Sequence, residues 1–195
     1  MLNIMILKAP PLPRAVAVAL LLLLPVHTRA ADPCRSGLEA GQRPGPYSFV
    51  LATGKERGKS FCYICDTADR PAVIVFARTP SGALGKLAAG IDKAVADHKA
   101  AELRSWITFL SDESKDLEDK VVKWGRTHGL RGIDLGIFED ADGPPSYKLA
   151  RDADVTVILY VKRKVVADFA FRDGELTEER IAEVLKTLPG LVEKR

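Results

Sequence analysis

The chain is poor in the features that usually declare a function. Only three of its 195 residues are cysteine and three histidine. His98 and His128 fall in predicted helices without a matching pair. Tetrahedral zinc would therefore have to be assembled from Cys62, Cys65, Cys34 and one isolated histidine. No apolar run reaches the ~20 residues that a bilayer span needs. Net charge is only +3, and Lys8, Arg14 and Arg29 account for all of it, because residues 1–30 contain no acid. The remainder is balanced, and nothing in it suggests the basic stripe or patch that a nucleic-acid-binding protein needs. An odd cysteine count leaves at least one thiol unpaired, bound to metal or joined to another molecule.

The first 30 residues carry an address. Lys8 and Arg14 precede the apolar run Ala15 to Leu24, and a small-residue exit, His27-Thr28-Arg29-Ala30-Ala31, follows. This is the layout of a secretory signal peptide, cleaved after Ala30 or Ala31. The expected organisation is a signal peptide at 1–30, a flexible lead-in at 31–46 and one domain at 47–192. Export to the periplasm or the medium follows, with no stable membrane insertion after cleavage. All three cysteines lie in the exported part, where disulfides are permitted.

Beyond the Gly/Pro-rich lead-in, YSFVLATG reads as a short strand ending in a glycine turn, and GKSFCYIC as its return strand or an irregular crossing. PAVIVFAR is a nearly continuous apolar run, as expected of a strand buried on both faces. Leu84, Leu87, Ala88, Ile91 and Val95 recur at helical spacing and predict a helix from about Gly82 to Glu102. SWITFLSD is a strand, and the next helix carries Leu117, Val121, Trp124 and His128 on one stripe. IDLGIFED is a strand, and VTVILYV and KVVADFAF form a hairpin about Lys162-Arg163. A last helix from Thr177 to Leu188 is expected to stop at Pro189-Gly190. Alternating strands and helices predict an α/β sandwich with a sheet parallel in its middle and antiparallel at the closing hairpin.

This order resembles the thioredoxin-like fold, and more closely its redoxin and peroxiredoxin-type branch. YSFVLATG with GKS resembles that branch's N-terminal hairpin. RPAVIVFAR resembles its core strand, and VTVILYVKRKVVADFAF its closing hairpin. The resemblance implies a three-layer α/β/α sandwich with a mixed central sheet and an N-terminal β-hairpin extension. It also implies where a thiol should sit, at the turn opening the helix after the core strand. Here that turn reads Ala77-Arg78-Thr79-Pro80-Ser81-Gly82 and contains no cysteine. The cis-proline that enters the family's last hairpin is replaced by Asp154-Val155-Thr156.

The candidate catalytic residues are instead Cys62 and Cys65, one segment upstream. In a straight strand residues i and i+3 face opposite ways, ~10 Å apart, whereas a disulfide tolerates only about 7 Å between Cα atoms. Cooperation between them requires the backbone to turn. Three readings stand. The first is a displaced redox pair, activated by Lys59, Arg57 or Arg78 and exchanging with a protein thiol or disulfide partner. The second is a structural bond, Cys62 to Cys65 or either to Cys34, in a non-catalytic binding module. The third is metal binding. No cofactor is called for, and the sequence leaves oligomeric state open. Gly54 to Ser60 mimics a phosphate loop but reads better as a basic hairpin turn. Glu139 to Gly143 hints at calcium but is expected to be an acidic Asp-Gly turn.

Overall fold

The computed structural model describes residues 32–193; the signal-peptide expectation lies outside them. Among the described residues no helix is long and apolar enough to cross a membrane.

Seven strands form one sheet. They are β1 (Phe49–Leu51), β2 (Ser60–Phe61), β3 (Ala72–Ala77), β4 (Arg104–Leu110), β5 (Asp134–Phe138), β6 (Val155–Val161) and β7 (Lys164–Phe171), in the spatial order β2-β1-β5-β4-β3-β6-β7. β3, β4 and β5 are parallel. β6 runs antiparallel to β3, with Ala72 opposite Tyr160 and Ala77 opposite Val155. β3 is wholly buried, as its unbroken apolar sequence requires. The thioredoxin-like expectation therefore holds in order, direction and the position of both hairpins.

The helices are α1 (Tyr63–Thr67), α2 (Gly82–Asp97), α3 (Ser114–Thr127) and α4 (Glu178–Glu193). The crossovers β3-α2-β4 and β4-α3-β5 step in the same direction across the sheet. Right-handed connections therefore put α2 and α3 on one face. α4 joins them there, packing Ile181, Val184 and Leu188 into the cluster that holds Leu84, Leu87 and Trp124. The opposite face is covered more thinly by α1, the 3-10 turn Pro145–Tyr147 and the lead-in, around an aromatic cluster of Tyr47, Phe49, Tyr63, Phe76, Trp106, Tyr147 and Tyr160.

Two local expectations are corrected. CYIC is a helical turn rather than a strand; the return strand is only Ser60–Phe61, paired with β1. α4 runs through Pro189 to Glu193, because Leu191 continues the buried stripe. Burying a leucine stabilises by about 1.5–3 kcal/mol, enough to offset a proline that costs about 3 kcal/mol in a helix interior. The lead-in is laid across the thin face. Ser36 Oγ lies 2.7 Å from Thr156 Oγ1 and accepts from the Ala150 amide. Further along, Gly41 N–H donates to Val165 and Val165 N–H donates to Gln42. Gly37, at φ +105°, is needed here: a Cβ would lie 2.9 Å from Thr156 Cγ2.

Candidate active site

Cys62 and Cys65 are disulfide-bonded, with Cα atoms 5.4 Å apart. The turn that sequence spacing demanded is α1. Cys62 sits at its N-cap in extended conformation, and its Sγ accepts from Cys65 N–H at 3.3 Å. Cys65 is exposed, whereas Cys62 is half-buried. Cys65 is therefore the more accessible residue of the bonded pair.

α1 is only five residues long and does not hold itself in place. Isolated helices of this length are unstable, so its position comes from anchors. Tyr63 stacks on Trp106 at 5.1 Å between ring centroids and on Phe49 at 5.7 Å. Its hydroxyl donates to Asp134. Burial raises its pKa, and donation to Asp134 adds to the shift; the phenol stays protonated and remains a donor. Asp66 is held by Arg104 at 2.6 Å and by Arg70 at 3.4 Å. After α1, Asp69 accepts twice from the β6–β7 turn: Lys162 N–H donates to its carbonyl and Arg163 to its carboxylate, each at 3.0 Å.

These anchors put the disulfide at the N-terminal end of β3, beside the tip of the β6–β7 hairpin. Cys65 opens onto a groove of about 350 Å³ lined by Arg43, Pro44, Pro46, Ile64, Tyr160 and Arg163, among others. The activating cations expected from sequence are elsewhere. Arg57 pairs with Glu118, Lys59 pairs with Glu56, and Arg78 lies at the other end of β3. Sequence reading missed Arg43, Tyr160 and Arg163. They meet only through tertiary structure, and no local pattern signals them.

At that other end, the helix-opening corner has a different occupant. The Arg78 guanidinium donates to the carbonyls of Ala141, Ala150 and Ala153, and Thr79 Oγ1 donates to Asp154 at 2.7 Å. The corner where the resemblance implied a thiol is thus a backbone clamp. The Glu139–Gly143 loop is part of it: Asp142 pairs with Arg151, and Ala141 N–H donates to Asp112. Peptide bonds are trans throughout the described residues, including the one entering Val155.

Cys34 is free and half-buried. Its electrostatic neighbours are Arg172, Asp152 and Glu175, next to the Val155–Phe171 pair. It therefore sits at the clamp end, a strand's length from the disulfide. The pairing of either candidate cysteine with Cys34 is corrected accordingly, and Cys34 does not complete a metal site with them. Desolvation raises its pKa, which disfavours the nucleophilic thiolate. Among the described residues no group of three or more His, Cys, Asp or Glu is placed to hold a metal ion. His128 does what its stripe predicted, packing 5.3 Å from Trp124 at the end of α3.

No protein-family model matches the chain, and no curated protein matches it in sequence. Solved structures do match. A proposed protein disulfide isomerase from Bacteroides thetaiotaomicron superposes with TM-score 0.61 at 19% identity, covering 82% of this chain and 95% of its own. A proposed thiol:disulfide interchange protein of DsbE type from Chlorobium tepidum gives 0.56 at 16%, covering 77% and 99%. A peroxidoxin from Mycobacterium tuberculosis gives 0.55 at 15%, covering 78% and 97%. At such identities the likeness carries the thioredoxin-like, redoxin-type fold and not the chemistry.

Proposed function

We propose that this thioredoxin-like chain is an exported thiol-disulfide oxidoreductase working through a displaced pair, Cys65 being the sulfur attacked and Cys62 the leaving and resolving sulfur. The observation that carries this reading is the disulfide itself: bonded across one helical turn, with one sulfur exposed at the mouth of a groove. Its size argues against a staple. Closing a loop of about four residues restrains the unfolded chain by only about 2 kcal/mol, whereas joining Cys34 to Cys62 would give about 3.5 kcal/mol. A bond that stabilises so little and remains reachable from solvent is better suited to exchange than to support.

Protein disulfides are the natural reaction partners; the Bacteroides protein is named for isomerising protein disulfides and the Chlorobium protein for thiol:disulfide interchange. Export rests on the basic, apolar and small-residue succession of residues 1–30, with 31–46 leading into a domain at 47–192. A second reading keeps one specific observation on its side. The helix-opening corner is filled by Arg78, so the fold would serve as a non-catalytic binding module with Cys62–Cys65 structural.

Insulin reduction by the exported protein, with dithiothreitol as electron source, separates the two. Turnover that disappears in Cys65→Ser supports exchange. A protein no faster than dithiothreitol alone leaves the binding module as the function.

A further inference from the structure

The groove beside Cys65 has a chemical character of its own. Its walls are apolar, built from Pro44, Pro46, Ile64, Ala68 and the Tyr160 ring, and cations stand at its rim. Arg43 is exposed and makes no ion pair among the described residues. Arg163 is fixed in direction by Asp69. Tyr160, on the floor, is 1% exposed, and its hydroxyl has no hydrogen-bond partner; the Thr67 hydroxyl close by also lacks one. Burial pushes the Tyr160 pKa up to about 12, so the phenol stays protonated. A volume near 350 Å³ is at the small end of ligand pockets.

We infer that this groove seats a small thiol bearing carboxylates, of tripeptide size, which attacks Cys65 while Arg43 and Arg163 receive its charges. The inference rests on the exchange reading above and names the electron donor for it. An apolar wall takes the ligand's methylenes, and the rim arginines take its carboxylates. Both arginines belong to segments whose placement was described above: the laid-down lead-in brings Arg43, and the hairpin turn tied to Asp69 brings Arg163.

The step balances. The incoming thiolate attacks Cys65 Sγ, a bond forms between them, the Cys62–Cys65 bond breaks, and its electron pair leaves on Cys62. A second thiolate attacks the sulfur of the first ligand, releasing a symmetrical disulfide and a Cys65 thiolate. Two ligand thiols are oxidised, one protein disulfide is reduced, and the two protons given up by the ligands pass to Cys62 and Cys65.

The test compares glutathione with its diethyl ester, which keeps the thiol and loses both carboxylates. Rate constants for reduction of Cys62–Cys65 in the exported protein are expressed per thiolate. With each exposed arginine contributing about threefold, glutathione is expected to be roughly tenfold faster. That ratio should fall towards one at about 0.5 M salt. It should drop to about threefold in Arg43→Ser, and to near one in Arg43→Ser/Arg163→Ser. Equal rates for the two reagents in the unaltered protein, or a ratio indifferent to the arginine substitutions, overturn the inference and leave exchange standing. A disulfide inert to both reagents removes the exchange reading and this inference together.

Discussion

Reduction of the Cys62–Cys65 bond should loosen the protein only slightly. The loop it closes contains about four residues, so the chain-entropy gain on oxidation is about 2 kcal/mol. The anchors of α1 are not sulfur: they are the Tyr63 stack on Trp106 and Phe49, the Tyr63–Asp134 hydrogen bond and the Asp66–Arg104 ion pair. They survive reduction. For a domain of this size each kcal/mol moves the melting temperature by about 2–4 °C, so dithiothreitol should lower it by roughly 4–8 °C. Cys62→Ser/Cys65→Ser should melt where the reduced protein melts. The assay is calorimetry with and without reductant, paired with near-ultraviolet circular dichroism, which reports the Trp106 environment. Loss of the near-ultraviolet signal on reduction, or a fall of more than about 15 °C, would show that the bond holds the domain together and would refute the argument from loop size.

Other consequences can be measured separately. Tyr63→Phe removes the donor to Asp134 and should cost about 1–2 kcal/mol in urea unfolding; a change under about 0.3 kcal/mol would mean that the hydroxyl contributes nothing net. Gly136→Ala places a Cβ 2.3 Å from the Phe49 ring and 2.6 Å from the Val50 carbonyl oxygen. The backbone oxygen cannot swing aside, so a loss of about 3 kcal/mol is expected, and unchanged stability would show that β1 moves away from β5 freely. Asp168 has its pKa raised, by desolvation first and then by Glu39. A carboxyl with a raised folded pKa loses stability as pH climbs through the carboxylate range. Asp168→Asn should therefore stabilise at pH 7 and make no difference at about pH 2; equal effects at both would contradict that sign.

Most of the fold could be read from periodicity, because its long elements bury one clear pattern each. PAVIVFAR and VTVILYV are unbroken apolar strands, and the α2 stripe of Leu84, Leu87, Ala88 and Ile91 is wholly buried. The misread segment holds the shortest of the four α-helices. SFCYIC is an apolar, aromatic run that reads as a strand, and a five-residue helix is too short to show a 3.6-residue period. Its buried Tyr63 and Thr67, four apart, make sense only once Trp106 and Asp134 are known to be beneath them. Pro189 misled for a related reason: local stop chemistry lost to the burial of Leu191. The pair Cys62 and Cys65 was visible in sequence, but its surroundings were not. Arg43 and Arg163 are 120 residues apart in the chain and meet because a lead-in without regular structure is laid across the thin face.

The Arg78 clamp has a dynamic meaning. One guanidinium ties three carbonyls drawn from both ends of the 141–153 connection, alongside the Ala141–Asp112, Ala150–Ser36 and Tyr147–Gly45 hydrogen bonds that hold the same excursion. Its parts cannot fray one at a time while that side chain stays home. They open as one unit, when Arg78 and those other bonds release together.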